Sequence, residues 1–71
     1  HSAIALAIGT LSRNQSVAVV MRFVQGQSYT AISHVLGCRS ATARKHVQRG
    51  RERLRVLLAP LTKDFNQETA Q

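Results

Sequence analysis

The residues in this sequence that come nearest to a nucleophile or metal-ligand set are His34, Cys38 and His46. A nucleophilic Cys–His pair needs both groups within hydrogen-bond reach and a third group to orient the imidazole. Gly37 breaks the chain between His34 and Cys38, and no acid stands nearby in sequence to orient a histidine. A single cysteine forms no internal disulfide, and no Cys pair has metal-ligand spacing. The expectation is therefore no enzyme activity, no cofactor, no metal and no small-molecule substrate. His34 reads as a surface or boundary residue, and Cys38 as a small side chain in a turn.

The chemistry that the residues do offer is electrostatic. Lys and Arg number 10 against 3 acids, giving a formal charge of +7 and a pI near 11.5. Such a field favours a polyanionic partner, nucleic acid before anionic membrane. The charge concentrates in GCRSATARKHVQRGRERL, residues 37–54, where Arg39, Arg44, Lys45, Arg49, Arg51 and Arg53 face one acid, Glu52. The apolar run Ala3-Ile4-Ala5-Leu6-Ala7-Ile8 is too short to span a bilayer and has no basic segment before it. With one cysteine and no such span, a reducing cytoplasm is the expected compartment and the membrane is not an expected partner. Beginning on His1 rather than Met, the chain suggests a piece of a longer protein.

The elements that must position these charges are helices. At 71 residues the chain makes one small domain. No stretch alternates long enough for a strand, so the expected class is all-α with four helices. The first spans about Ser2 to Ile8, capped by Ser2, with Ile4, Ile8 and Leu11 on one side and Leu6 pointing elsewhere. The second spans about Arg13 to Val24, capped by Ser12. It carries one stripe of Val17, Val20, Met21 and Val24 and another of Val19 and Phe23. Gly26 suits a left-handed position after it. The third spans about Tyr29 to Leu36, capped by Ser28, with Tyr29, Ile32, Val35 and Leu36 on one side.

After the Gly37-Cys38-Arg39 turn, a fourth and longest helix should reach Leu58, since Pro60 opposes continuation. The domain then covers residues 1–59 and a polar tail residues 60–71. On a wheel of about 100° per residue, Ala43, Val47, Gly50, Leu54, Leu57 and Leu58 share one arc, and the cations lie outside it. Like charges at i and i+4, as in Lys45 with Arg49, weaken the isolated helix. Gly50, on the inner arc of a helix interior, points to close approach by a neighbour.

A short helix, a turn holding Gly and a second helix with a cationic outer side make a helix-turn-helix. There the second helix enters the major groove with its N-terminal residues leading. The side chains best placed for base edges are Arg44, Lys45, Gln48 and Arg49. Arg39, Ser40 and Thr42 at the helix start, with Arg51 and Arg53 further along, suit phosphates. Ser28, Tyr29 and Thr30, opening the third helix, suit the backbone as well.

The runs Leu11-Ser12-Arg13-Asn14-Gln15, Val20-Met21-Arg22-Phe23-Val24-Gln25-Gly26-Gln27-Ser28-Tyr29-Thr30-Ala31-Ile32, Leu36-Gly37-Cys38 and Arg49-Gly50-Arg51-Glu52-Arg53-Leu54 resemble region 4 of bacterial sigma factors of the extracytoplasmic-function group. The resemblance covers about Leu11 to Leu58. It implies a four-helix domain that recognises the promoter element near −35 while docking on the β flap of RNA polymerase, with an anti-sigma factor as a further partner. The recognition-helix positions that it implies are again Arg44, Lys45, Gln48 and Arg49. It also gives a use to spare apolar residues, Leu6, Val19 and Phe23, as a partner-binding surface. Thr30-Ala31, Thr42-Ala43 and Gly50 depart from the family's usual wording, which touches the sequence read rather than the architecture. Two rivals are the LuxR-type DNA-binding domain of response regulators, through Thr42 and His46, and a protein-interaction module bound mainly by an anti-sigma factor.

Overall fold

The computed structural model describes residues 3–69, with side-chain surroundings described through residue 60. It is all-α: α1 (Ala3–Gly9), α2 (Arg13–Val19, continued by a π-helical turn, Val20–Val24), α3 (Tyr29–Leu36) and α4 (Ser40–Thr69). The expected cap Ser2 lies outside the described residues.

Each break has a local cause. The N–H groups of Thr10 and Leu11 close α1 onto the carbonyls of Ala7 and Ile8, both at 3.1 Å. Ser12, extended at φ −60° and ψ 158°, caps α2 by accepting from the Gln15 N–H. Ser28 caps α3 in the same way through the Ala31 N–H at 3.1 Å. Gly37 ends α3 at φ 68°, where a Cβ would be strained, and the Cys38 N–H reaches back to the Ser33 carbonyl at 3.0 Å.

Packing converges on α4. Ala18, Ile32, Ala43 and Val47 form the buried centre, with Met21, Tyr29, Leu36 and Cys38 half-buried against it. Val19, Ala7 and Leu11 extend the core toward α1. The small residues Ala18 and Ala43 let α2 and α4 come together, and at Gly50 the approach leaves no room for a side chain. A Cβ there would lie 2.5 Å from Val19 Cγ2 and 3.3 Å from the Gln15 carbonyl oxygen. α1 is tied on by the Ser16 hydroxyl, which donates to the Ile8 carbonyl at 2.7 Å as a second partner beside the Leu11 N–H.

Four expectations need correction. The stripe through Val24 fails because the chain leaves α-helical winding at Val20, with the Gln25 N–H bonding the Val20 carbonyl at 3.1 Å. A helix closed by i→i+5 bonds turns less per residue than 100°, and Val24 ends 74% exposed. In α3 the inner side is Tyr29, Ile32, Ser33 and Leu36, at i, i+3, i+4 and i+7. Val35, about 110° from the centre of that arc, is exposed. Ser33 can be buried because its hydroxyl donates to the Thr30 carbonyl at 2.6 Å. In α1, Ile4 shares the inner side by phase but lies one turn out from Ile8 and is exposed. Finally, α4 does not stop before Pro60 but continues through it to Thr69. Proline removes the one bond to the Val56 carbonyl, while the i→i−4 bonds before and after it need no proline N–H.

Gly50→Ala is expected to lower the melting midpoint by roughly 4–8 °C, a net loss of about 1 kcal/mol. Overpacking of about 1–3 kcal/mol is partly offset by about 1 kcal/mol of helix propensity. In a Val19→Ala background the same change should be neutral or stabilising. Equal losses in both backgrounds, followed by circular dichroism, would show that the Val19 contact is not what requires glycine.

Candidate DNA-binding face

The inner side of α4 is fixed by Ala43, Val47 and Gly50, all buried. Its outer side is therefore fixed as well. Arg44, Lys45, Gln48 and Arg49 are all exposed, as are Arg39, Ser40, Thr42, Arg51 and Arg53. Around the helix axis the four expected base-reading residues fall within an arc of about 140°, in the order Arg44, Gln48, Lys45, Arg49, with Arg51 beside Arg44. Arg53 stands apart, about 40° beyond Arg49 on the far flank. Arg51 and Arg53 thus flank this arc on opposite sides.

At the start of α4 the first backbone N–H groups have no partner within the helix, and the positive end of the helix dipole adds to the charge of Arg39. Ser40 and Thr42 flank those groups. At the start of α3, the Ser28 hydroxyl is already engaged in the cap, Thr30 is exposed, and Tyr29 is half-buried.

Tyr29 links the two helix starts. The Arg44 guanidinium carbon lies 5.4 Å from the centre of its ring, and that of Arg22 lies 4.5 Å away. Arg22 also donates from Nη1 to the Gln27 carbonyl at 3.0 Å. No role falls to Arg22 on sequence grounds. Its partners lie across the Gly26 turn, and no helical spacing rule joins residue 22 to residue 29.

The counter-charge is sparse. Glu52 accepts two hydrogen bonds from Arg55, from Nη2 at 2.6 Å and from Nε at 3.1 Å. The pair is exposed. The Arg55 hydrogen bonds, then its charge, hold the Glu52 carboxyl below its ordinary pKa, while Glu52 raises that of Arg55. Among the described residues this is the ion pair on α4, and the cations of its first turns have no acid beside them.

Of the residues expected to bind a protein partner, Leu6 is 69% and Phe23 56% exposed. Val19 is not available: at 3% exposure it forms the contact with Gly50 that joins α2 to α4. An open, largely apolar depression lined by Ser16, Val17, Val20, Met21 and Gln25 lies on the outer side of α2. Among the described residues, no three His, Cys, Asp or Glu side chains come together to hold a metal ion, and no helix is long and apolar enough to cross a membrane.

Fold and site define the class: an all-α, helix-turn-helix DNA-binding domain with a cationic recognition helix. A comparison with protein families matches residues 1–54 to sigma-70, region 4, and the chain belongs to that family. It is thus a sigma-factor domain that binds the promoter −35 element in transcription initiation, and its family is one of DNA binding rather than of enzymes. This favours the sigma reading over the LuxR-type one. Comparisons with curated proteins and with solved structures found no match.

The pH response of the Glu52–Arg55 pair has a definite sign. A depressed carboxyl pKa contributes stability above the ordinary value of 4.5 and loses it as pH falls through the folded-state value. Glu52→Gln should therefore lower the melting midpoint slightly at neutral pH and low salt, by a few degrees at most. Parent and variant should converge in acid. A gap that persists well below pH 4.5, or widens there, would contradict this assignment.

Proposed function

We propose that this domain belongs to a sigma factor of the extracytoplasmic-function type, acting in the cytoplasm, and that it reads the −35 element with α4 in the major groove. Arg44, Lys45, Gln48 and Arg49 approach base edges, Arg or Lys favouring guanine O6/N7 and Gln favouring adenine N6/N7. Arg39, Ser40, Thr42, Arg51 and Arg53 hold phosphates, with Ser28, Tyr29 and Thr30 at the start of α3 beside them. The observation that carries this is the partition of α4. Its buried side is made of Ala43, Val47 and Gly50, which leaves the cations of residues 39–53 on the solvent side with Glu52 as their one acid. The DNA-reading unit is residues 1–59, and residues 60–71 are an appendage to it.

Docking to the RNA polymerase β flap falls to the apolar outer surface of α1 and α2. Exposed Leu6 and Phe23 and the Val17-Val20-Met21 depression support this. An anti-sigma factor would occupy the same surface.

Duplex binding should be steeply salt-dependent. About four to six phosphate contacts imply a loss of roughly 10²–10³-fold between 50 and 200 mM salt. Arg44→Ala or Arg49→Ala should weaken a selected duplex at least about tenfold. A flat salt response, or binding indifferent to both changes, would defeat the groove reading.

Docking is separable from DNA binding. Leu6→Asp and Phe23→Asp should lower retention by an isolated β flap about tenfold or more while leaving the helical circular dichroism signal and duplex affinity unchanged. These side chains are already largely in solvent, so the fold has little to lose. Undiminished retention would place the flap elsewhere.

A further inference from the structure

The inference rests on the −35-element reading above and concerns what holds Arg44 in place. Arg44 is a long side chain on an exposed helix face, and immobilising such a chain on DNA carries an entropic penalty. In this domain it is restrained beforehand, because its guanidinium lies over the Tyr29 ring at 5.4 Å. A planar guanidinium favours an aromatic face over free solvent.

The ring is itself held. It is half-buried against the Ala18, Ile32, Ala43 and Val47 cluster, and the Arg22 guanidinium lies over it at 4.5 Å. Arg22 is anchored in turn by its bond to the Gln27 carbonyl, and the Gln27 N–H donates to the Met21 carbonyl at 2.9 Å. The π-helical turn after α2 therefore connects, through Arg22 and Tyr29, to the first reading residue of α4. Two guanidinium groups on one ring repel each other, and no acid is recorded beside them among the described residues. An incoming polyanion relieves that repulsion.

We propose that Tyr29 and Arg22 are positioning residues for Arg44. The aromatic ring is a platform that presents the Arg44 guanidinium to its base edge, and Arg22 fixes the platform from the π-turn. On this assignment the ring matters more than the phenolic hydroxyl, so Tyr29 leaves the group of phosphate contacts at the start of α3 to Ser28 and Thr30 and sets base discrimination instead.

The test uses the 71-residue chain with a pool of duplexes carrying a randomised segment, selected at low salt. Preferences are compared position by position. Arg44→Ala should abolish preference at one base pair, which then serves as the readout. Tyr29→Leu should reduce preference at that same base pair about two- to fivefold. Tyr29→Phe should retain it. Combining Tyr29→Leu with Arg44→Ala should cost no more there than Arg44→Ala alone, since both act through one group. Arg22→Met should lower the same preference, beyond any uniform loss of affinity from its missing charge.

Three outcomes overturn the proposal while leaving the −35 reading in place. Tyr29→Phe could lose as much as Tyr29→Leu, which assigns the hydroxyl to a phosphate. Tyr29→Leu could weaken all sequences equally. The two losses could add at the readout position. Should Tyr29→Leu unfold by circular dichroism, Arg22→Met, which spares the core, decides: an unchanged preference overturns the proposal. If Arg44→Ala alters no position, base reading by Arg44 falls, and the positioning role falls with it.

Discussion

The distance between α2 and α4 at Gly50 governs the rest of the domain. With Val19 and the Gln15 backbone pressed where a Cβ would stand, rotation of α4 about its own axis is blocked on the buried side. Ala43 and Val47 continue that contact line toward the N-terminus of α4, so the outward direction of Arg44, Lys45, Gln48 and Arg49 is set by apolar packing rather than by any bond that the cations make. In a chain this small, a core of alanine and valine with one leucine and one fully buried isoleucine gives close helix approach at the expense of buried area. Precision of presentation is what the small residues supply.

Charge acts in the opposite sense. Lys45 with Arg49, Arg49 with Arg53 and Arg51 with Arg55 stand one turn apart on the same helix, and each such pair weakens it. Glu52 relieves Arg55 and leaves the N-terminal cations uncompensated. The free domain therefore holds its recognition helix together against its own field, through packing on the inner side, and a duplex removes the opposition rather than adding a new scaffold. Binding and helix stability are coupled for this reason alone.

Much of this was legible in the sequence, and the failures have distinct causes. Ser12 and Ser28 as caps, Gly37 as a left-handed stop and the inner arc of α4 all follow from strong local rules, in which one residue type satisfies one backbone requirement. Gly50 was legible as a close approach because a glycine inside a helix needs a reason. Val19 was misplaced because the wheel of α2 shows two apolar stripes and does not say which of them α4 will cover. Val35 lost its place to Ser33, whose hydroxyl finds a carbonyl within its own helix and so can be buried. Pro60 marks a missing hydrogen bond, and the number of turns that follow it is not encoded in that residue. The Arg22–Tyr29–Arg44 contacts cross a turn and two helix starts, beyond any periodicity. For the recognition face, the sequence shows which residues are exposed and cationic; which base each one meets depends on the docking angle, a property of the complex.

The π-helical turn at Val20–Val24 carries one residue more than an α-helix would need for the same reach. Everything downstream, from the Arg22 anchor through Gly26 to the Ser28 cap, is placed by that surplus. Phe23 and Val24 point outward and could be exchanged for other side chains without moving the backbone. Removing either outright would rewind the turn, displace the start of α3 and misalign it with α4. At those two positions the backbone tolerates a change of side chain and not a change of length.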